Sequence, residues 1–127
     1  MQGKEVFEYA FIRFVPKVER EEFINVGVIL FSRRKKFLDV KYHIDEARLC
    51  AFSTEVDLTT LTSYLKSWDL ICQGSPEGGY IAKLDLASRF RWLTASRSTI
   101  IQHSKVHTGL CEDPGLVLND LFEKYVL

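Results

Sequence analysis

The sequence has no surplus of charge of either sign. Its 17 lysines and arginines equal its 17 aspartates and glutamates in number. A protein that gathers nucleic acid through its overall electrostatic field needs an excess of cations, because the attraction is to phosphate. Nucleic-acid binding by this chain would therefore depend on a local patch of basic side chains.

Cysteine is also scarce. The three cysteines, at positions 50, 72 and 111, lie far apart in the chain. Zinc ribbons and dithiol redox motifs use closely spaced cysteine pairs, which this sequence lacks. We expect reduced thiols in the cytoplasm, and the sequence implies no metal and no other cofactor.

Long apolar runs are absent as well. The best run, VGVILF, is far shorter than the roughly 20 residues that span a bilayer, and the N-terminal stretch has charges where a signal peptide needs an apolar core. The chain has 127 residues, of which 46% are hydrophobic and 27% charged. These values are typical of one globular domain, which we expect to cover residues 1–127. We expect the protein to be cytoplasmic and to make no contact with a membrane.

Apolar patterns predict three strands in the first third of the chain. Residues 6–15 alternate, and the odd-numbered aromatic residues are expected on the more deeply buried face. Residues 23–32, FINVGVILFS, are almost wholly apolar, which indicates a strand covered on both faces. A basic turn at residues 33–36 precedes a third strand in residues 36–43. Connections this short favour an antiparallel meander, since a parallel pair needs a crossover of about a dozen residues or more.

Asn25 and Gly27 interrupt the apolar second strand. Glycine weakens a strand, and a buried amide side chain needs hydrogen-bond partners. We therefore expect a β-bulge, or a close approach of another main-chain segment, at this point.

The middle and the end of the chain have helical periodicity. The clearest helix, about 16 residues long, is predicted between Asp57 and Gly74, where apolar residues recur every three or four positions. A shorter helical stretch is expected in residues 44–52. Aspartate side chains can accept hydrogen bonds from the free N–H groups of a first helical turn. The predicted caps are Asp57, Asp85 and Asp113, of which the last directly precedes a proline.

The stretch RSTIIQHSKVHTGL, residues 97–110, contains two histidines, two basic side chains and several hydroxyls. Its β-branched residues favour a strand over residues 98–107 that is added to the sheet. In a strand, the Cα atoms of His103 and His107 would lie about 13 Å apart, which is too far for one metal ion. Regular alternation would place both histidines on one face.

Two interpretations of this strand remain open. In the first, it is an edge strand whose outer face is polar because it is solvated. In the second, it is a contact for an anion or nucleotide, in which Arg97, Ser98 and Thr99 bind phosphate or carboxylate.

Two further functions depend on neighbouring residues. A nucleic-acid site would use Arg89, Arg91 and Arg97, with help from the basic turn. Trp92, beside these arginines, is instead predicted to be a core residue. An enzyme would use His107 as acid or base, with Arg97 steadying a developing anion.

Three blocks of the chain together resemble a known bacterial family. They are YAFIRFVPKVEREEFINVGVILF, RFRWLTASRSTIIQHSKVHTGL and CEDPGLVLNDLFEKYV, and they span nearly the whole chain. By these blocks the chain is identified as a member of domain of unknown function 3037 (DUF3037). The candidate residues for binding an anion or a partner are Arg97, Ser98, Thr99, His107, Thr108, Arg91 and Arg89.

The resemblance implies no established activity. Members often carry proline at the positions of His103 and Lys105, so no essential role is expected for His103. Genes of the family often lie beside a gene for a HipA-like kinase, which implies a protein partner by association only. We therefore expect an α+β fold in which the three-strand meander and the later strand form an antiparallel sheet packed against helices. The leading function is a small cytoplasmic interaction module, accessory to such a kinase.

Overall fold

The computed structural model describes residues 3–54, 56–95 and 100–127. Within these ranges, strands and helices form one antiparallel sheet with helices on both faces. The strands are β1 (Glu5–Phe14), β2 (Ile24–Ser32), β3 (Phe37–Tyr42), β4 (Ile101–His103) and β5 (His107–Cys111). The helices are α1 (Glu46–Phe52), α2 (Leu58–Cys72), α3 (Leu86–Leu93) and α4 (Pro114–Tyr125). The predicted α+β class and the meander are confirmed, and no helix in the described ranges has the length and apolar character to cross a membrane.

The later strand differs from its prediction because it is broken by a bulge. The sheet order is β3-β2-β1, and both β4 and β5 pair antiparallel with β1. Ile12 lies opposite His103 but Tyr9 lies opposite His107, so three residues of the later segment face two residues of β1. The prediction of one regular strand over residues 98–107 is therefore wrong. The extended segment continues to Cys111, and its predicted start lies outside the described residues.

A hydrogen-bond pair explains the bulge. The Ser104 main-chain N–H donates to the Phe11 carbonyl at 2.8 Å, and the Ser104 hydroxyl oxygen accepts from the Phe11 N–H at 2.8 Å. One residue thus satisfies both main-chain groups of Phe11, which in a regular ladder are shared with the main chain of the neighbouring strand. The hydroxyl replaces a main-chain acceptor, and an extra residue is accommodated.

The two faces of the sheet are covered unequally. Helices α1, α2 and α3 pack on one face, here called the three-helix face, whereas α4 packs on the other, mainly over β2 and β3. In β1 the even-numbered residues Ala10, Ile12 and Phe14 lie on the three-helix face and are buried there. Tyr9 and Phe11 on the α4 face are only half-buried. The expectation that the odd-numbered aromatic residues are the more deeply buried holds for Phe7, which is 8% exposed. It is wrong for Tyr9 and Phe11, because α4 lies to one side of β1.

The bulge predicted in β2 is confirmed. Ile12 of β1 lies opposite Gly27, and the next residue of β1 lies opposite Asn25, so Val26 is the extra residue. A close main-chain approach is present at the same point. A Cβ atom added to Gly27 would lie 2.8 Å from the Lys41 carbonyl oxygen. Glycine is therefore required here by space.

The predicted helix caps are confirmed. Asp57, Asp85 and Asp113 each accept a hydrogen bond from a main-chain N–H in the first turn of the following helix. The bond from the Thr60 N–H is the largest cause that lowers the pKa of Asp57. Gly74, just beyond α2, has a φ of 68°, a left-handed conformation that glycine adopts without strain.

Candidate binding surface

The predicted site residues fall in different places. Arg97, Ser98 and Thr99 lie outside the described residues. The remaining four are on α3 and β5 and do not form one cluster. Arg91 lies near Thr108, because its ion-pair partner Glu8 is the residue opposite Thr108. His107 and Thr108 are neighbours in β5 and therefore point to opposite faces of the sheet.

His107 lies on the α4 face at the edge of the sheet. Its exposed ring packs on Tyr9, with the ring centroids 5.2 Å apart. Among the described residues, no carboxylate contacts this ring to orient it as a general base. His103 lies on the three-helix face opposite Ile12, so the expectation that both histidines share one face is wrong because of the bulge. In the described ranges, no three histidine, cysteine or acidic side chains converge to hold a metal ion.

Two of the three thiols are sequestered. Cys72 and Cys111 are buried, and Cys50 is exposed. Burial is the largest cause that raises the pKa of the Cys72 thiol, and Asp39 and Asp69 raise it further. Burial also raises the pKa of Cys111. A nucleophilic cysteine needs a lowered pKa, so neither of these two thiols is activated.

Arg89 caps the C-terminal end of α2. Its Nη1 donates to the carbonyls of Ile71 and Cys72 at 3.0 and 3.1 Å, which are orphan acceptors at the end of α2. Its Nε is buried and has no hydrogen-bond partner among the described residues. The guanidinium is thus directed into the protein and is not presented to a ligand.

Replacing Arg89 with alanine is expected to lower the free energy of unfolding by about 1–3 kcal/mol, because two helix carbonyls lose a charged donor. Urea unfolding followed by circular dichroism measures this loss. Arg34→Ala is the control, since Arg34 is exposed on the turn before β3, and a change within about 0.5 kcal/mol is expected there. Equal stability of Arg89→Ala and the parent protein would contradict the capping role.

Arg91 takes part in a groove on the three-helix face. Its Nη2 lies 2.9 Å from a carboxylate oxygen of Glu8 on β1. The groove has a volume of about 440 Å³, and the basic turn contributes two of its cations. Lining residues are Arg33, Arg34, Arg91, Glu5, Glu8, Val6, Phe31 and Ala87.

Trp92 is 41% exposed, so its assignment to the core is wrong. Helix α3 buries Phe90 and Leu93, and Trp92 follows Phe90 by two positions. Two positions correspond to about 200° around a helix, which turns the indole away from the buried side.

The main-chain groups of β1 alternate between its two neighbours. Phe11 directs its N–H and C=O toward Ser104, whereas the Val6 C=O accepts a hydrogen bond from the Ser32 hydroxyl on the β2 side. Odd-numbered residues of β1 therefore bond to the later strands. Their partners in β5 are His107, Gly109 and Cys111.

The intervening residues of β5 form an open sheet edge. Because His107, Gly109 and Cys111 bond inward, the N–H and C=O groups of Thr108 and Leu110 point away from the sheet. No described residue bonds to these four groups. The Leu110 side chain is 64% exposed, and Val6 opposite it is 54% exposed. We call this surface, formed by Val6, Thr108 and Leu110, the β5 edge.

The opposite edge of the sheet, β3, is protected differently. The Asp39 carboxylate accepts a hydrogen bond from the Val40 N–H at 2.8 Å, and the Gln73 side-chain amide donates to the same carboxylate oxygen at 2.9 Å. Side chains that occupy edge groups discourage pairing with another strand. The two edges therefore differ in their readiness to accept a further strand.

Val6 and Leu110 were not predicted as site residues. Each is a single apolar residue in a strand pattern, which normally indicates burial. Their exposure depends on where the helices lie over the sheet. The one sequence signal was that Leu110 ends the stretch 97–110, which stands out by its composition, although it lies beyond the strand predicted over residues 98–107.

The sequence profile of a family described as protein of unknown function (DUF3037) matches residues 9–126. This match covers the meander, all four helices and both later strands almost entirely. No curated protein and no solved structure matches the chain.

Proposed function

We propose, starting from the fact that this chain belongs to the DUF3037 family, that it is a small protein-interaction module whose β5 edge receives an extended segment of a partner protein. The partner that the family resemblance implies is a HipA-like kinase. The observation that carries the proposal is the pair of residues Thr108 and Leu110, whose main-chain groups point outward without a partner among the described residues. Strand addition at such an edge is a recurrent mode of peptide recognition.

Side chains beside the edge add selectivity to this interaction. Leu110 and Val6 form an exposed apolar pair on the three-helix face. An apolar side chain of the added strand would bury them, and burial of apolar surface is the main favourable term in association. Main-chain hydrogen bonds would supply a second contribution that is independent of sequence.

The adjoining groove favours an acidic segment. Arg91 is paired with Glu8, but Arg34 forms no ion pair with any described residue. Arginine binds carboxylates through two parallel hydrogen bonds, which adds direction as well as strength. A partner segment with an apolar residue and a nearby glutamate or aspartate would therefore match this surface.

The replacement Thr108→Pro tests the proposal. Proline removes the outward N–H of residue 108 and leaves the inward bonds of β5 to β1 in place. We expect the affinity for the kinase-like partner to fall about tenfold or more, measured by calorimetry or surface-immobilised binding. Thr108→Val keeps the N–H and removes only the hydroxyl, so it is the matched control and should bind like the parent protein.

The outcomes separate the role of the edge from general damage. Thermal unfolding of Thr108→Pro should stay close to that of Thr108→Val, since residue 108 is exposed. Equal partner affinity of the two variants would overturn the strand-addition proposal. No association between the parent protein and the kinase-like protein at micromolar concentration would overturn the choice of partner.

The other two functions have less support from the geometry. Nucleic-acid binding depended on Arg89, Arg91 and Arg97, of which the first caps α2 and the second is paired with Glu8. Catalysis depended on His107, whose exposed ring lies on Tyr9 at the sheet edge. A catalytic base needs a second group that orients it, and the described residues provide none for His107.

A further inference from the structure

A pocket lies on the other side of β1 from the β5 edge. It is formed by the start of β2, the segment between β3 and α1, and the end of α4, and its volume is about 260 Å³. Its apolar lining includes Ile24, Val26, Leu49 and Val126, all of which are buried. Pockets for drug-sized ligands have volumes of roughly 300–1,000 Å³, so this one suits a smaller molecule.

Asn25 lines this pocket with an incomplete set of hydrogen bonds. Its Nδ2 donates to the Tyr125 carbonyl at 3.3 Å, which helps to hold the end of α4. Its Oδ1 is buried and has no donor among the described residues. An acceptor left unsatisfied in this way lowers stability by about 1–3 kcal/mol unless a donor reaches it.

The pocket also presents a cation and an anion whose side chains form no ion pair. Arg48 and Asp45 both line it, yet no ion pair within 4.0 Å joins their side chains. The Asp45 carboxylate accepts from the Arg48 main-chain N–H at 3.1 Å. One guanidinium nitrogen of Arg48 makes a long 3.4 Å bond to the Val126 carbonyl. His43 lines the same wall as a further polar group.

We propose that this pocket binds a small zwitterion with an aliphatic body, the chemistry of a free aliphatic amino acid. The carboxylate of the ligand pairs with Arg48. Its ammonium group pairs with Asp45. Its side chain occupies the apolar wall formed by Ile24 and Leu49.

The charges argue for a zwitterion over a singly charged ligand. A plain carboxylate attracted by Arg48 would also meet the negative charge of Asp45, and a plain amine attracted by Asp45 would meet Arg48. A ligand with both charges satisfies both residues. Complementary charge of this kind fixes orientation and excludes wrong ligands.

An NMR titration of the whole chain labelled with ¹⁵N tests the proposal. The probes are L-leucine, 4-methylpentanoate, which lacks the ammonium group, and L-leucinamide, which lacks the carboxylate. We expect saturable shifts of the amides around Asn25 and Arg48 with millimolar L-leucine. Both analogues should bind about tenfold more weakly or worse, because each loses a hydrogen bond to a charged group.

Two variants assign the charges separately. Asp45→Asn retains a good helix cap, so it should fold normally while it weakens L-leucine binding and reverses the preference toward 4-methylpentanoate. Arg48→Gln should reverse the preference toward L-leucinamide. The control is Arg20→Gln, because Arg20 is exposed and paired with Glu22 away from the pocket.

Three results would overturn the proposal. They are the absence of shifts at the pocket with millimolar L-leucine, equal affinity for L-leucine and its two analogues, and unchanged affinity in both pocket variants. The proposal does not depend on the β5 edge, and Thr108→Pro should bind L-leucine like the parent protein. Failure of one proposal is therefore distinguishable from failure of the other.

Discussion

Replacing Phe90 with alanine is expected to lower the free energy of unfolding by about 3–5 kcal/mol. Phe90 is fully buried on α3, and its ring stacks on Phe31 of β2 with the centroids 5.2 Å apart. The substitution removes this contact and leaves a cavity between α3 and the sheet. Helix α3 also carries Arg89, which caps α2, and Arg91, which forms the ion pair with Glu8 of β1. If the packing of α3 loosens, we expect both interactions to weaken as well.

Equilibrium unfolding in urea measures the effect of Phe90→Ala. Lys66→Ala is the control, since it introduces alanine at an exposed position of α2, which packs on the same face of the sheet. Its effect should stay within about 0.5 kcal/mol. A loss below about 1 kcal/mol for Phe90→Ala would show that α3 does not pack on β2 as described.

Replacing Gly27 with alanine is expected to lower the free energy of unfolding by about 3 kcal/mol, at the upper end of the usual range for overpacking. The new Cβ would lie 2.8 Å from the Lys41 carbonyl oxygen and 3.1 Å from Cδ1 of Ile12. Ile12 is fully buried, and the carbonyl belongs to the neighbouring strand, so neither can move freely. Room for the methyl group requires β2 and β3 to separate.

Thermal unfolding of Gly27→Ala should show this loss as a clearly lowered midpoint. Thr108→Ala is the control, because it introduces the same side chain at an exposed strand position. An unchanged midpoint in Gly27→Ala would contradict the close approach of β2 and β3. The bulge at Gly27 also positions Asn25, so Gly27→Ala is expected to reduce L-leucine binding at the pocket.

Helix starts were predictable because their chemistry is local. An aspartate side chain that accepts a hydrogen bond from the main-chain N–H of a residue two or three positions further along the chain needs no tertiary contact. The caps Asp57, Asp85 and Asp113 are of this kind. The bulge at Gly27 was predictable for a similar reason, since a glycine inside an apolar strand often marks a bulge or a close main-chain approach. The meander followed from connections too short for a crossover.

The candidate surface was only partly predictable. The segment that forms β5 was identified by composition, but the bulge at Ser104 reverses which residues share a face. A serine hydroxyl that replaces a main-chain acceptor leaves no periodic signal in the sequence. The sequence predicts Arg89 as a ligand contact, because a sequence does not show that two helix carbonyls lie within reach of its side chain.

The sequence by itself determined the class of fold, the order of its elements and the caps of three helices, because these depend on residues close together in the chain. Only the tertiary structure decided that Val6 and Leu110 are exposed, that Arg89 is internal and that Asn25, Asp45 and Arg48 line one pocket. These properties depend on where helices lie over the sheet. That placement results from packing between distant segments, which local sequence patterns do not encode.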